Sequence, residues 1–426
     1  ADAGKRGTDS KRCTRLAPVL ARKHETGKLA DALFIRLFPL LFLFAGRFAF
    51  NGNPFPYFHG SARFYLFQNR SINHDTCQCT RSVNRLSTCD TLRMMNILID
   101  VRLLGRGGHS GVEEYTYQLV DHLLALPTDN RFILFYNGFF FNPLPRHWFA
   151  RPNVTVVNWH IPNRLLDLAS RFLCAPAVDI RTGADIVFSP HLNIIVSRRA
   201  PRILTIHDLS FIHHPQFFTL RQRFWHFLQG YKNQARTADA VVVDSQFTAR
   251  DVENTLAAHP SKIHCIYPGI GKTFTRGDRD ETKLNAMLKK YGIALPYILF
   301  LGTLEPRKNI TAVIRTFDAV KQDPRLSHLH LVIAGKPGWR YRAMEHEMRR
   351  SPHGHDIRCI GPVENEERVL LYTGASAFVY PSFFEGFGFP PLEALACGTP
   401  VIVSNRTSLP ETTGGCALSV DPWRGG

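Results

Sequence analysis

From Met95 onward the chain alternates short apolar runs with longer stretches of helical periodicity. The runs are NILIDV, RFILFYN, NVTVVNW, ADIVFSP, RILTIHD and AVVVDS, then YILFLG, LHLVIAG, IRCIG, AFVYPS and PVIVS. They are near-continuous in Val, Ile, Leu and Phe, as strands buried on both faces of a parallel sheet are. Helical stretches such as GVEEYTYQLVDHLLAL and RVLLYTGAS separate them. The pattern predicts an α/β protein with parallel sheets. The alternation lapses in YPGIGKTFTRGDRDETKLNAMLKKYGIALP, where glycine, charge and proline cluster. A linker there divides the chain into two Rossmann-like, doubly wound domains, 95–275 and 276–426, facing a cleft. Ligands of such sheets bind beyond the carboxyl ends of the strands.

Residues 1–93 read differently. They are rich in Phe, Arg, Ser and Asn without a sustained period, and Met94 and Met95 directly precede the first strand of a chain that begins at Ala1. This segment is expected to be non-native or disordered. Within it, LFIRLFPLLFLFAGRFAF holds an uninterrupted apolar run only from Leu37 to Ala45, containing Pro39 and bounded by Arg36 and Arg47. That is short of the ~20 residues a membrane-spanning helix requires, so an interfacial anchor is the alternative.

Charge adds a distinction. Residues 1–94 hold 15 Lys and Arg against 6 Asp and Glu, so +9 of the formal +17 lies there and +8 is spread over the rest. The rest is a mildly basic enzyme rather than a polycation, which argues against a nucleic-acid-binding protein. The nine cysteines show no metal-site spacing: Cys77, Cys79 and distant Cys89 lack a well-placed fourth ligand. Cys174, Cys265, Cys359, Cys397 and Cys416 stand singly in apolar surroundings and are expected to be reduced core residues of a cytoplasmic protein.

Four stretches carry candidate chemistry. GRGGHSGVEEYTYQL follows the first strand and opens a helix, where Gly111 lets a ligand approach the backbone and helix amino terminus; no Gly-Lys-Ser/Thr follows, so it is not a phosphate loop. ILTIHDLSF places His207 and Asp208 just past a strand end, where His207 either meets a sugar-like hydroxyl or is simply held by a local carboxylate. LGTLEPRKNI puts Arg307 and Lys308 at a helix start, suited to a diphosphate or else a solvated basic pair. PSFFEGFGFPPLEALACG sets Glu385 in a turn and Glu393 in the helix that Pro390 and Pro391 open and Gly398 ends. Ionised carboxylates only accept, so sugar diols suit them; the plainer reading is a favourable helix dipole for Glu393, about 0.3–1 kcal/mol.

Together RILTIHDLSF, LGTLEPRKNI and YPSFFEGFGFPPLEALACGTPVIVSN resemble the retaining, nucleotide-sugar-dependent glycosyltransferases called group 1 or family 4, built on the GT-B fold. The resemblance runs from about Met95 to Asp421, and HDLSFIHHPQFF looks closest to mannosyltransferases of bacterial polysaccharide or O-antigen assembly. It implies a hexosyltransferase using a nucleotide-diphosphate sugar, GDP-mannose first, with no metal and no other cofactor. Its acceptor would be a glycan or lipid-linked glycan. Arg307 and Lys308 then match the basic pair on the donor diphosphate, Glu393 the ribose glutamate and Glu385 the glutamate beside the donor sugar. Gly386, Phe387 and Gly388 match the backbone lining sugar and phosphate, with Leu392 in the same element, His207 the donor-face histidine and Gly111 the amino-terminal loop glycine. The resemblance also implies a cytoplasmic enzyme, peripheral to the inner face of a membrane. Two departures stand out: the chain stops at VDPWRGG, so the second domain is expected to be incomplete, and ETTGGCALSV is irregular. An inactive GT-B fragment that binds glycan or nucleotide is the alternative; a GT-B epimerase or phosphorylase is a further rival, the latter lacking a candidate pyridoxal-phosphate lysine.

Overall fold

The computed structural model describes residues 94–106, 110–138, 144–275 and 280–424. The readings of residues 1–93, including the apolar run and the Cys77, Cys79 and Cys89 grouping, lie outside these.

Two parallel sheets organise the chain. The first holds β1 (Asn96–Asp100), β2 (Arg131–Phe135), β3 (Val154–Val157), β4 (Ile186–Ser189), β5 (Arg202–Ile206), β6 (Ala240–Val243) and β7 (Ile263–Cys265), in the order β3-β2-β1-β4-β5-β6-β7. The second holds β8 (Tyr297–Leu301), β9 (His330–Ala334), β10 (Ile357–Gly361), β11 (Ala377–Tyr380), β12 (Val401–Ser404) and β13 (Leu418–Val420), in the order β10-β9-β8-β11-β12-β13. In both sheets the order reverses beside the first strand, so β1 pairs with β4 and β8 with β11. The loops leaving two parallel neighbours diverge there and open a crevice.

The strands are buried as their composition demands: Leu98, Ile99, Val187, Leu204, Val241 and Val243 are inaccessible in one sheet, and Leu299, Phe300, Leu331 to Ala334 and Phe378 in the other. Helices cover them with apolar stripes at helical spacing. In Ile310–Val320 the buried residues are Ile310, Val313, Ile314 and Phe317, one face of a 3.6-residue period.

All eleven apolar runs form strands. Two further strands were not read from the sequence, β7 and β13, each three residues long at a sheet edge and without a buried residue. The glycine- and charge-rich stretch contains the helix Glu281–Tyr291, capped by Asp280, whose Leu284, Met287 and Leu288 join the second core. The cysteine expectation needs correction: all five are free thiols, but only Cys397 is buried, while Cys174, Cys359 and Cys416 are exposed. Apolar neighbours in sequence do not bury a residue at a helix end or an edge.

Candidate functional site

The crevice of the second sheet gathers the residues the sequence singled out. Leaving β8, the chain makes a single turn of 3₁₀ helix, Pro306–Lys308, that ends at left-handed Asn309. Leaving β11, it makes the turn Pro381–Gly388 and enters the helix Phe389–Ala396, with prolines in its first turn and Gly388 at φ 97° before it. Because β8 and β11 are neighbours, Lys308 and Glu385, 77 positions apart, meet: Lys308 Nζ lies 2.5 Å from Glu385 Oε1, and Arg307 Nη1 lies 3.1 Å from Oε2.

Glu385 is fully engaged. Ser382 Oγ also donates to Oε1 at 2.6 Å, and the Glu385 N–H donates to Thr407 Oγ1 at 3.0 Å. Burial opposes its ionisation, yet the Arg307 and Lys308 charges hold its carboxyl down at about 2. Arg307 additionally donates to Glu305 at 3.0 Å and to the Phe384 carbonyl at 2.7 Å, and its guanidinium lies 3.6 Å from Asp208. Lys308 donates to the Tyr380 hydroxyl at 2.5 Å; burial, with Arg307 alongside, lowers its ammonium below the usual lysine range despite Glu385. Two cations thus sit among three carboxylates. The expected basic pair is present but already compensated.

Glu393 is buried one turn into its helix. Arg368 and Tyr372, four residues apart on the helix Asn365–Gly374, both donate to its Oε2, Tyr372 at 2.8 Å. Oε1 receives no hydrogen bond from the described residues. Burial raises the Glu393 carboxyl above its ordinary range despite Arg368. Leu392, beside it in sequence, is half-buried. The turn between the two glutamates presents backbone. Among the described residues no acceptor meets the N–H groups of Gly386, Phe387 and Gly388, which lead into the positive end of the Phe389–Ala396 helix.

The first sheet contributes from β5 and β6. His207 Nδ1 is 2.6 Å from Asp244 Oδ2 and Nε2 is 2.9 Å from the Pro190 carbonyl. Both partners are acceptors, so the two contacts together favour a charged ring that donates from both nitrogens. Burial opposes that charge, yet Asp244 holds the imidazole above the ordinary histidine value. His207 therefore has no spare nitrogen for a sugar hydroxyl in this conformation. The local-carboxylate arrangement holds, with Asp244 rather than adjacent Asp208. Tyr115 packs edge-on against the ring at 4.7 Å between centroids. Gly111 opens its helix, exposed, with nothing within 4 Å of a Cβ placed there. The amino terminus of that helix is partly satisfied by its own capping box, Ser110 with Glu113.

The two sheets' domains clasp at these same loops. Gly386 rests on the His207 backbone so closely that a Cβ would stand 1.8 Å from the His207 oxygen. Ser245 and Thr248 hydroxyls donate to the Gly386 carbonyl at 2.7 and 3.2 Å. Glu411 caps the start of the Gln246–Leu256 helix, accepting from Gln246 N at 2.6 Å, Phe247 N at 2.9 Å and Tyr267 Oη at 2.7 Å. Rings complete the seam: His213 and Phe247 meet Phe384, and Phe217 meets Phe383. Asp244, Glu305, Arg368, Tyr372, Tyr380 and Glu411 were not read from the sequence. Arg368 and Tyr372 at i and i+4 were the one local signal.

A model of glycosyltransferase family 4 matches residues 109–274, and one of glycosyl transferases group 1 matches residues 288–414. The chain belongs to this glycosyltransferase family. It is 31% identical over 232 residues to the O-antigen chain mannosyltransferase B of Escherichia coli, covering 54% of this chain and 60% of that protein. The chain thus spans less than two thirds of that curated relative. Among solved structures it resembles the sucrose-phosphate synthase of Thermosynechococcus elongatus (TM-score 0.59, 19% identity, 78% of this chain and 87% of that one). It also resembles HepE of Anabaena, solved with UDP and glucose (TM-score 0.58, 17% identity, 78% and 87%). These likenesses establish the two-domain GT-B fold of the group 1 glycosyltransferase. Among its described residues no helix is long and apolar enough to cross a membrane.

Proposed function

We propose that this group 1 glycosyltransferase moves a hexose from a nucleoside-diphosphate donor to a hydroxyl of a glycan or lipid-linked glycan, with retention of anomeric configuration, in polysaccharide or lipopolysaccharide assembly. The observation that carries the reading is that Arg307 and Lys308 meet Glu385, next in sequence to Gly386, Phe387 and Gly388, whose N–H groups meet no acceptor among the described residues at a helix start in the crevice. This supports a diphosphate site: as the glycosidic C–O bond breaks, the pair goes to the leaving phosphate oxygen, whose charge these donors stabilise without reorganisation. The departing phosphate takes the acceptor hydroxyl proton as the new C–O bond forms on the same face. Oε1 of Glu393, unbonded among the described residues, is assigned to the donor ribose. His207 acts through its position, holding the loop on which Gly386 rests. A relative named a mannosyltransferase supports mannose, and GDP-mannose is the donor proposed; association with the inner face of a membrane, in the cytoplasm, fits a lipid-linked acceptor.

Calorimetric titration of the full chain with GDP, UDP and ADP tests this. The expected result is selective binding of GDP that Glu393→Ala weakens at least tenfold. Absence of binding by all three to folded protein would overturn it.

A further inference from the structure

Two stretches on the first domain expose apolar stripes to solvent. The helix Asn163–Leu168 continues through Ala169–Leu173 in wider turns, and the helix Leu220–Gln229 packs beside it. Toward the protein they turn Leu166 and Leu228 together with the polar Asp167, Ser170 and Gln229, the amide of Gln229 donating to Asp167 at 3.1 Å. Toward solvent they turn Leu165, Leu168 and Phe172 on one and Leu220, Phe224 and Phe227 on the other. The spacings are i, i+3, i+7 and i, i+4, i+7, so each set is a stripe. Five of the six are between 58 and 78% exposed. A monomer seldom leaves such a contiguous apolar face uncovered.

The charges around it identify the occupant. Arg164, Arg221 and Arg223 are exposed and Arg171 half-exposed, while the one acid in the two stretches, Asp167, is buried. Between Glu114 and Glu253 the acids are aspartates, and of these only Asp167 lies in either stretch. Apolar stripes edged by arginine alone match an anionic bilayer surface, which takes apolar side chains between headgroups and pairs arginine with phosphate. The Leu33–Phe50 segment of this chain is a poor occupant, because it carries Arg36 and Arg47 and no acid. We infer that the face built by Leu165, Leu168, Phe172, Leu220, Phe224 and Phe227 docks the enzyme on an anionic membrane. The inference rests on the lipid-linked acceptor reading above and supplies its surface.

The test is flotation of the full chain, without nucleotide, on vesicles of 70% phosphatidylcholine and 30% phosphatidylglycerol and on phosphatidylcholine alone. Binding is expected on the anionic vesicles, weakening as salt rises. The combined variant Leu165→Ser, Phe172→Ser, Phe224→Ser, Phe227→Ser and, separately, Arg221→Glu with Arg223→Glu should each lose at least tenfold in affinity. Their thermal midpoints and nucleotide titrations should match the parent, which separates loss of docking from misfolding. Equal binding of parent and variants would overturn the inference and locate the anchor elsewhere, as in Leu33–Phe50. Sedimentation showing a parent dimer that the serine variant dissolves would overturn it in favour of a second copy. Vesicle binding without nucleotide binding would sink the transferase reading alone.

Discussion

Replacing Gly386 with alanine isolates the domain clasp. Its φ is not in the left-handed region, so alanine meets no backbone strain of its own. The cost is steric and lies between domains: the new Cβ would stand 1.8 Å from the His207 oxygen, 2.7 Å from its carbonyl carbon and 3.0 Å from Asp208 Cβ. Carbon and carbonyl oxygen approach no closer than ~3.3 Å, so the turn and the β5 end must separate by about 1.5 Å. The obstruction is backbone, which no rotamer relieves. The same movement stretches the Ser245 and Thr248 bonds to Gly386 and shifts Glu385 away from the loop carrying Asp208. Misplacement of ~1 Å costs ~100-fold in rate, so kcat/KM for sugar transfer should fall ~100-fold, ~3 kcal/mol of transition-state stabilisation. Steady-state transfer kinetics read this, and hydrogen exchange provides a second reading independent of substrate: the Gln246 and Phe247 amides, bonded to Glu411, should exchange faster. Parent-like exchange together with kcat/KM within threefold of the parent would refute the close approach.

Glu411→Ala removes three acceptor contacts from a partly exposed carboxylate and should weaken domain closure by about 1 kcal/mol; faster exchange at Gln246 and Phe247, partly restored in Glu411→Gln, is the check. At Glu385 the folded carboxyl, held at about 2 against an ordinary 4.5, makes a contribution that is fully present above about pH 4.5 and is lost as pH falls toward about 2. Its ceiling is about 3 kcal/mol, and denaturant unfolding of Glu385→Gln across that window should show a flatter acid limb than the parent; an unchanged slope would refute the assignment.

Much of the frame was legible because strand burial and helix periodicity are local properties. YILFLG and AFVYPS announce β8 and β11 by composition, while Arg307, Lys308 and Glu385 were brought together by the family resemblance; the pairing of β8 with β11 is what makes their loops neighbours. β7 and β13 escaped because an edge strand of three residues with no buried side chain carries no such pattern. What surrounds the site was less legible. Glu411 reaches Gln246 across 165 positions, a pair that depends on how two domains close, and Asp244 reaches His207 across 37, a pair that depends on β5 and β6 lying side by side; in neither case does one sequence neighbourhood contain the other. The same reason explains why Gly386 reads locally as a turn residue when its constraint comes from the opposing domain. The phenylalanines of PSFFEGFGF gain their meaning likewise, since Phe383 and Phe384 belong to the seam.

On the proposed donor reading, the charges in the crevice constrain how a diphosphate would enter. Arg307 and Lys308 face Glu305, Glu385 and Asp208, so the cluster carries an excess of negative charge before any phosphate arrives. Protonating Glu385 cannot relieve this, because its carboxyl stays ionised down to about pH 2. The incoming charge must be met by donors not already committed, and the N–H groups of Gly386, Phe387 and Gly388 at the positive end of a helix are such donors among the described residues. The carboxylates then serve a different purpose from binding. They fix a forked guanidinium and an ammonium in place within a buried site, and so reduce the ordering cost at the moment charge develops on the leaving phosphate. A lone cation pair would bind diphosphate more tightly and hold the product as firmly as the donor. A compensated pair beside a neutral backbone nest favours the state in which the leaving charge is greatest.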